Sequence, residues 1–391
     1  MIPDPSHSNA LTKLDYFINN GLKNYSVKRN HDLGVGDRSN VSNLSPYIKK
    51  RIIHEKKVIS SCLNKFTFES IEKFIQEVFW RTYWKGWLEG RPSVWHNYLK
   101  DLDKIQNNLK ESNYFKDYEK AINGRTGIDC FDSWVIELKK FGYLHNHTRM
   151  WFASIWIFTL NLPWQLGANF FYNNLLDADA ASNTLSWRWV AGLQTKGKIY
   201  LAREENIEKY SKFSFSNKNF FKKTTKEPEF TFHEYEELKL YNKEINNIDF
   251  YLINPNYLLY EKCVLKDLQN SNVIYYNLTN NSNDSAVKHK FNLSAVNHYI
   301  KWLKKNSVEV KEILNEEDLK LTVSENFLST PYPSIGYEND KLIEISQSQN
   351  ISINYLYDSF DILCWPYAKS GFFKFKTKIN YFIEKSFDYH S

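Results

Sequence analysis

Cysteine is scarce, and its spacing carries no signature. The chain of 391 residues holds four, Cys62, Cys130, Cys263 and Cys364, scattered with no Cys-x-x-Cys pair. That pattern argues against a disulfide framework, a zinc site or an iron–sulfur cluster, and it fits a reducing cytoplasm. A run able to cross a bilayer is also missing. The longest apolar stretch, Met150 to Leu162, is interrupted by Ser154, Thr159 and Asn161 and falls short of the ~20 residues a span requires, so it is expected as a buried helix and no membrane partner is expected. The start, Met1-Ile2-Pro3-Asp4-Pro5, lacks a basic region followed by an apolar run, and no secretory signal is expected. No glycine-rich phosphate loop marks the C-terminal half as a nucleotide site.

What is present is length, aromatic content and a mild positive charge. A chain of this size can bury two cores. Aromatic residues make up 17%, with 12 Trp, 26 Tyr and 27 Phe, more than packing needs, and such rings can also relay electrons or stack on bases. The net charge of +6 suits a polyanionic partner without demanding one.

The densest chemistry lies between Gly142 and Tyr200. Arg149 with Met150, Trp164, the acidic turn Asp177-Ala178-Asp179, Asn183 and the triplet Trp187-Arg188-Trp189 crowd into this stretch. Each buried polar group must find a partner, so a cation, two close carboxylates, an amide and several indoles together read as a cofactor pocket. The order and spacing of His145, Asn146, Arg149, Met150, Trp164, Asp177, Asp179, Asn183, Trp187 and Trp189 resemble the flavin-binding core of the photolyase and cryptochrome family. His147 stands where that pattern has a second arginine and Arg188 where glutamine is common; His147 is open to a structural, a pH-sensitive or a proton-donating role.

Two earlier segments extend the resemblance. Gly36 to Tyr47 contains Ser42-Asn43-Leu44-Ser45-Pro46, similar to the family's phosphate-holding segment, with Val41 in place of a threonine. Hydroxyls and free amides at a helix start suit a diphosphate, and they also suit a plain N-cap. Phe68 to Gly90 has helical periodicity and is closed by Gly90 and Pro92; its Glu77, Trp80 and Arg81 match the family's Glu-x-x-Trp-Arg motif. Thr126 to Asp132 resembles the turn that precedes the pocket helices.

The resemblance implies noncovalent FAD, held by Ser42, Leu44, Ser45, Arg81, Asn146, Arg149, Asp177, Asp179 and Asn183. It implies an Arg149–Asp177 ion pair beside the ring, Asp179 accepting from ring N–H groups, and the Asn183 amide near the reactive nitrogen. Glu77, Trp80, Met150 and Trp189 would meet a damaged pyrimidine pair flipped out of DNA, with Glu77 as proton donor. Trp187 and Trp164 would carry electrons inward, the third member being open among Tyr114, Trp151 and Trp156; helix packing is the other use of these indoles. The implied activity is blue-light-driven repair of cyclobutane pyrimidine dimers, a deoxyribodipyrimidine photolyase-like lyase acting on damaged DNA. The alternative is a cryptochrome-like light or redox sensor with a protein partner. No motif names an antenna chromophore or an oligomeric state.

After Tyr200 the resemblance thins. Residues 209–228 carry Lys209, Lys212, Lys218, Lys222, Lys223 and Lys226 among Phe, Ser, Thr and Asn, a solvated linker or a track for a phosphate backbone. Ile248 to Ile253 reads as strand, Tyr257 to Leu268 as helix and Val273 to Leu278 as strand, the βαβ rhythm of a parallel sheet. Further helices are expected at Ser294–Lys305 and near the C-terminus. The expected fold is therefore an all-helical photolyase-type FAD-binding domain over residues 1–215, a basic linker at 216–245 and a small α/β, Rossmann-like domain over 246–391. That last domain would stand in for the family's antenna domain, which the resemblance places ahead of the helices.

Overall fold

The computed structural model describes residues 3–195, 198–215, 221, 231–240, 248–278, 283–323 and 327–387. Most of the expected basic linker, with Lys218, Lys222, Lys223 and Lys226, lies outside them.

The first half is helical. His7–Asn20 is capped by Ser6, whose hydroxyl accepts from the Asn9 amide, and it buries Leu14, Phe17 and Ile18 on one face. Phe68–Glu89 is the longest helix among the described residues, at 22 residues, and buries Ile71, Phe74, Ile75, Val78 and Phe79. The Thr126–Asp132 turn is closed by one side chain: the Asp132 carboxylate accepts from the Thr126 amide at 2.9 Å, the Thr126 hydroxyl at 2.7 Å and the Gly127 amide at 3.0 Å. It leads into Asp129–Phe141, which Gly142 ends in a left-handed conformation with φ of 64°. The apolar run that follows is mostly buried, but not as one α-helix. Asn146–Ser154 gives way to a π turn over Ile155–Thr159, and the chain re-enters helix at Trp164–Asn174 and Ala180–Val190.

The second half contains five parallel strands, β1 (Phe250–Leu252), β2 (Asn272–Tyr276), β3 (Val310–Ile313), β4 (Leu328–Pro331) and β5 (Ile353–Leu356), in the order β3-β2-β1-β4-β5. Tyr251 pairs with Val273 on one side and with Ser329 on the other, so the strand order reverses between β1 and β4 as in doubly wound sheets. Leu252, Ile274, Leu328, Leu342 and Ile345 are buried in its core.

Two expectations need correction here. Helix is expected from Tyr257, yet it begins only at Lys262, because the preceding residues bond elsewhere: the Leu258 amide donates to the Lys50 carbonyl of the helical half at 2.8 Å and the Tyr257 hydroxyl to Asp358 at 2.6 Å. The helix expected from Ser294 in fact starts at Ala286 and runs to Lys305, capped by Ser285. The chain beyond β5 also leaves the sheet. Ser359–Cys364 and Ile379–Phe387 return to the Phe68–Glu89 helix, where Phe79 packs against Phe360, Phe375 and Phe382, and one apolar cluster joins Leu14, Phe79, Val273, Tyr299 and Phe382.

A buried charge cluster sits at the same junction. Arg51 reaches Glu55 at 3.4 Å, Asp358 at 3.1 Å and Asp361 at 2.7 Å. Its backbone has φ of 48°, a left-handed conformation that costs a branched or long residue roughly 1–2 kcal/mol and is here held by three carboxylates.

Candidate functional site

Five of the residues singled out in the sequence, Ser45, Arg81, Arg149, Asp177 and Asp179, converge where the start of Ser45–Lys49, the middle of Phe68–Glu89, the start of Asn146–Ser154 and the Leu175–Asp179 connection meet. Arg149 and Asp177 form the expected ion pair, Nη2 to Oδ2, at 2.9 Å. Arg149 Nε donates to the Leu144 carbonyl at 2.9 Å, which aims the guanidinium, and the Ser45 hydroxyl donates to the same Asp177 oxygen at 2.5 Å. Burial alone would raise the Asp177 carboxyl; Arg149, Arg81 and the Ser45 hydroxyl overcome it and hold the group below its ordinary range.

Asp179 does two things. One oxygen accepts from the Ser182 amide at 2.7 Å and caps Ala180–Val190, and the other pairs with Arg81. Arg81 also donates to the Asp177 backbone carbonyl at 3.2 Å. Two arginines from distant helices thus clasp the two acids of one turn.

Several polar atoms on the elements that carry this clasp are buried and unpaired. Asp177 Oδ1, Ser182 Oγ, Thr82 Oγ1 and Trp187 Nε1 are buried without a hydrogen-bond partner, a state that costs ~1–3 kcal/mol each unless a bound group supplies the contact. Two guanidiniums, carboxylates, hydroxyls and an indole N–H are a donor and acceptor set that fits the polar edge and diphosphate of a flavin dinucleotide.

The remaining expected cofactor contacts are placed as follows. Ser42 accepts from the Leu44 amide at 3.4 Å, Leu44 is fully buried, and Asn146 is exposed as the first residue of its helix. Asn183 is buried and donates from Nδ2 to the Ala168 carbonyl at 2.8 Å. Trp187 is buried against Phe152, Trp156 and Phe171, and Gly167 makes room for it: a Cβ there would lie 2.3 Å from the indole. Trp164 packs instead on Tyr98, centroids 5.5 Å apart.

The four expected substrate contacts do not form one open face. Glu77 is paired with Arg29 at 2.5 Å, Trp189 lies against Tyr200, Met150 is half-buried, and Trp80 is covered by Phe372 from the last segment of the chain, centroids 3.6 Å apart. Burial raises the Glu77 carboxyl, and Arg29 opposes that rise.

Sequence reading passes over three contributors. Arg38 lies over the Tyr143 ring at 4.2 Å and pairs with Glu137, and the Arg149 guanidinium is 5.3 Å from the centroid of the same ring. Tyr143 stands two residues before His145, within the motif run, and position alone could have flagged it. His147, where the family pattern has arginine, stacks on Trp151 and contacts the Asn30 carbonyl at 3.0 Å through Nδ1; burial lowers its pKa, which favours the structural role.

Residues 74–231 match the family model for the FAD binding domain of DNA photolyase, and the class of the protein is that of FAD-binding flavoproteins. The deoxyribodipyrimidine photo-lyase of Agrobacterium fabrum is 31% identical over 198 residues, which is 48% of this chain and 38% of that protein. The deoxyribodipyrimidine photo-lyase of Buchnera aphidicola from Baizongia pistaciae is 26% identical over 214 residues, 53% and 43% respectively. Cryptochrome-1 of Arabidopsis thaliana is 29% identical over 198 residues, 48% and 28%. A solved class III photolyase from Agrobacterium tumefaciens has a TM-score of 0.44 at 26% identity, covering 52% of this chain and 42% of that one. The match spans less than half the length of these relatives. Over residues 74–231 the chain carries an FAD binding domain similar to that of DNA photolyase, and FAD is its cofactor. Among the described residues, no helix is long and apolar enough to cross a membrane.

Proposed function

We propose that the protein uses FAD and blue light to reverse cyclobutane pyrimidine dimers in DNA. The observation that carries this reading is the double clasp of Asp177 and Asp179 by Arg149 and Arg81, with Asp177 Oδ1 left over inside a domain of the photolyase kind. When bound, FAD supplies light-driven one-electron chemistry. In this proposal Ser42, Leu44, Ser45, Arg81, Asn146, Arg149, Asp177, Asp179 and Asn183 hold it. Trp187 and Trp164 conduct electrons through the helices, and Glu77, Trp80, Met150 and Trp189 receive the lesion. Glu77, paired with Arg29, stands in this proposal as the proton donor to the substrate. The division into a helical half at 1–215, a linker at 216–245 and an α/β half at 246–391 belongs to the same proposal, amended by the return of residues 359–387 to the helical half. Four free cysteines, three of them buried, suit a cytoplasmic setting.

A second reading, a light or redox sensor without repair, is favoured by one contact. Phe372 stacks on one face of Trp80, a residue that the repair reading assigns to the lesion. One assay separates the two. The reduced, FAD-loaded protein is illuminated with dimer-containing single- and double-stranded DNA, and restored pyrimidines are counted. Light-dependent loss of dimers supports repair. Intact flavin photochemistry with dimers unchanged supports the sensor.

A further inference from the structure

The rings packed around Trp187 mark out a path of their own. Among the described residues Trp187 touches Phe152, Trp156 and Phe171, at centroid separations of 6.4, 6.2 and 5.1 Å. Trp156 in turn touches Phe131, Phe152, Phe170 and Tyr118, the last at 6.1 Å. A phenylalanine ring is far harder to oxidise than an indole or a phenol. Of these neighbours, only Trp156 can pass an electron to Trp187, and only Tyr118 can pass one to Trp156. Trp164 lies on Tyr98 and is not among the rings on Trp187.

Two features make this file of rings close and directional. At Gly167 an added Cβ would lie 2.3 Å from the Trp187 indole and 3.0 Å from that of Trp156, so a residue without a side chain lets the two edges meet. Electron tunnelling falls steeply with distance, and this contact shortens the step. Trp156 is fully buried and its indole N–H donates to the Pro163 carbonyl at 2.9 Å. A carbonyl is too weak a base to take that proton, so an oxidised indole there stays cationic and is refilled from the next ring. Tyr118 differs. It is half-buried on the Phe115–Ile122 helix, where water can take its phenolic proton.

We propose that Tyr118 is a terminal electron donor to the flavin, acting through Trp156 and then Trp187. One electron passes along these rings to photoexcited, oxidised FAD, which is reduced by it. Tyr118 is oxidised to a neutral tyrosyl radical and its proton goes to water. An external thiol then returns an electron and a proton to Tyr118 and becomes a thiyl radical. The proposal rests on the flavin reading of Trp187 and adds to it a main branch in ring contact throughout, beside the one through Trp164.

The test uses the full-length FAD-loaded protein under anaerobic blue illumination. Transient absorption reads the tyrosyl radical, and the fading of the oxidised-flavin bands with an external thiol reads the rate. Wild type is expected to form the radical. Tyr118→Phe, which keeps the ring and the fold, is expected to lose the radical with FAD still bound. Trp156→Phe is expected to lose it as well and to reduce the flavin at least about tenfold more slowly. A tyrosyl radical that persists in Tyr118→Phe, or wild-type reduction rates in both variants, would overturn the route and leave Trp187 in place. Bound flavin that is not reduced under light in wild type would overturn the reading of Trp187 itself, and the route with it.

Discussion

The ring of Phe372 lies flat on the indole of Trp80, centroids 3.6 Å apart and planes 13° from parallel. The segment is pinned beside it by the Tyr83 hydroxyl, which donates to the Ser370 carbonyl at 2.8 Å. Phe372 is 6% exposed, so Phe372→Ala removes both core packing and the cover on Trp80. A loss of about 3 kcal/mol in urea-denaturation stability is expected, together with tighter binding of dimer-containing DNA. DNA affinity unchanged by the substitution would detach Trp80 from lesion recognition.

The Arg149–Asp177 pair makes a second expectation. Asp177→Asn keeps the shape but removes the charge that balances a buried guanidinium, a loss of ~2 kcal/mol or more. FAD affinity should fall about 30-fold, read by titrating flavin fluorescence. An affinity equal to wild type would place the cofactor elsewhere.

Glu89 links stability to pH. Burial pushes its carboxyl up to about 7, against the opposing hydrogen bonds from the Ile335 amide and the Tyr332 hydroxyl. A carboxyl with a folded pKa above its unfolded one binds more protons when folded, so stability is fullest below the unfolded value of about 4.3 and declines as pH rises toward about 7. Urea midpoints taken across that window should fall for wild type and fall less for Glu89→Gln. Parallel pH profiles for the two proteins would remove Glu89 from the linkage.

Arg51 joins the two halves of the chain. Arg51→Ala leaves Glu55, Asp358 and Asp361 buried together without their cation, and a cost of about 3–5 kcal/mol is expected. Denaturant unfolding followed by tryptophan fluorescence reads it. A cost below about 1 kcal/mol, the scale of an exposed pair, would mean that solvent reaches the cluster.

The Arg149–Asp177 side of the clasp is legible in the sequence because its residues lie close together along the chain. Arg149, Asp177, Asp179, Asn183 and Trp187 fall within one short stretch of chain, and the ion pair that the resemblance implies between Arg149 and Asp177 is present. The strands β1 and β2 are legible for the same reason, as short β-branched and aromatic runs. Contacts between distant segments are not. Nothing near Trp80 announces Phe372, and nothing in Tyr257 to Glu261 announces that those residues are spent on the Lys50 carbonyl and Asp358 instead of a helix. The π turn at Ile155–Thr159 is invisible to periodicity because it shifts the register by a single residue inside an otherwise apolar run.

Light-driven electron transfer through Trp187 is tested most directly by the absorbance of the FAD-loaded protein during anaerobic blue illumination with an external electron donor. In the wild type the oxidised-flavin bands should fade, and in Trp187→Phe they should fade at least about tenfold more slowly, a barrier difference of ~1.4 kcal/mol or more, with FAD still bound. Bound flavin whose bands persist under light in the wild type, or fade equally fast in both proteins, would contradict that route.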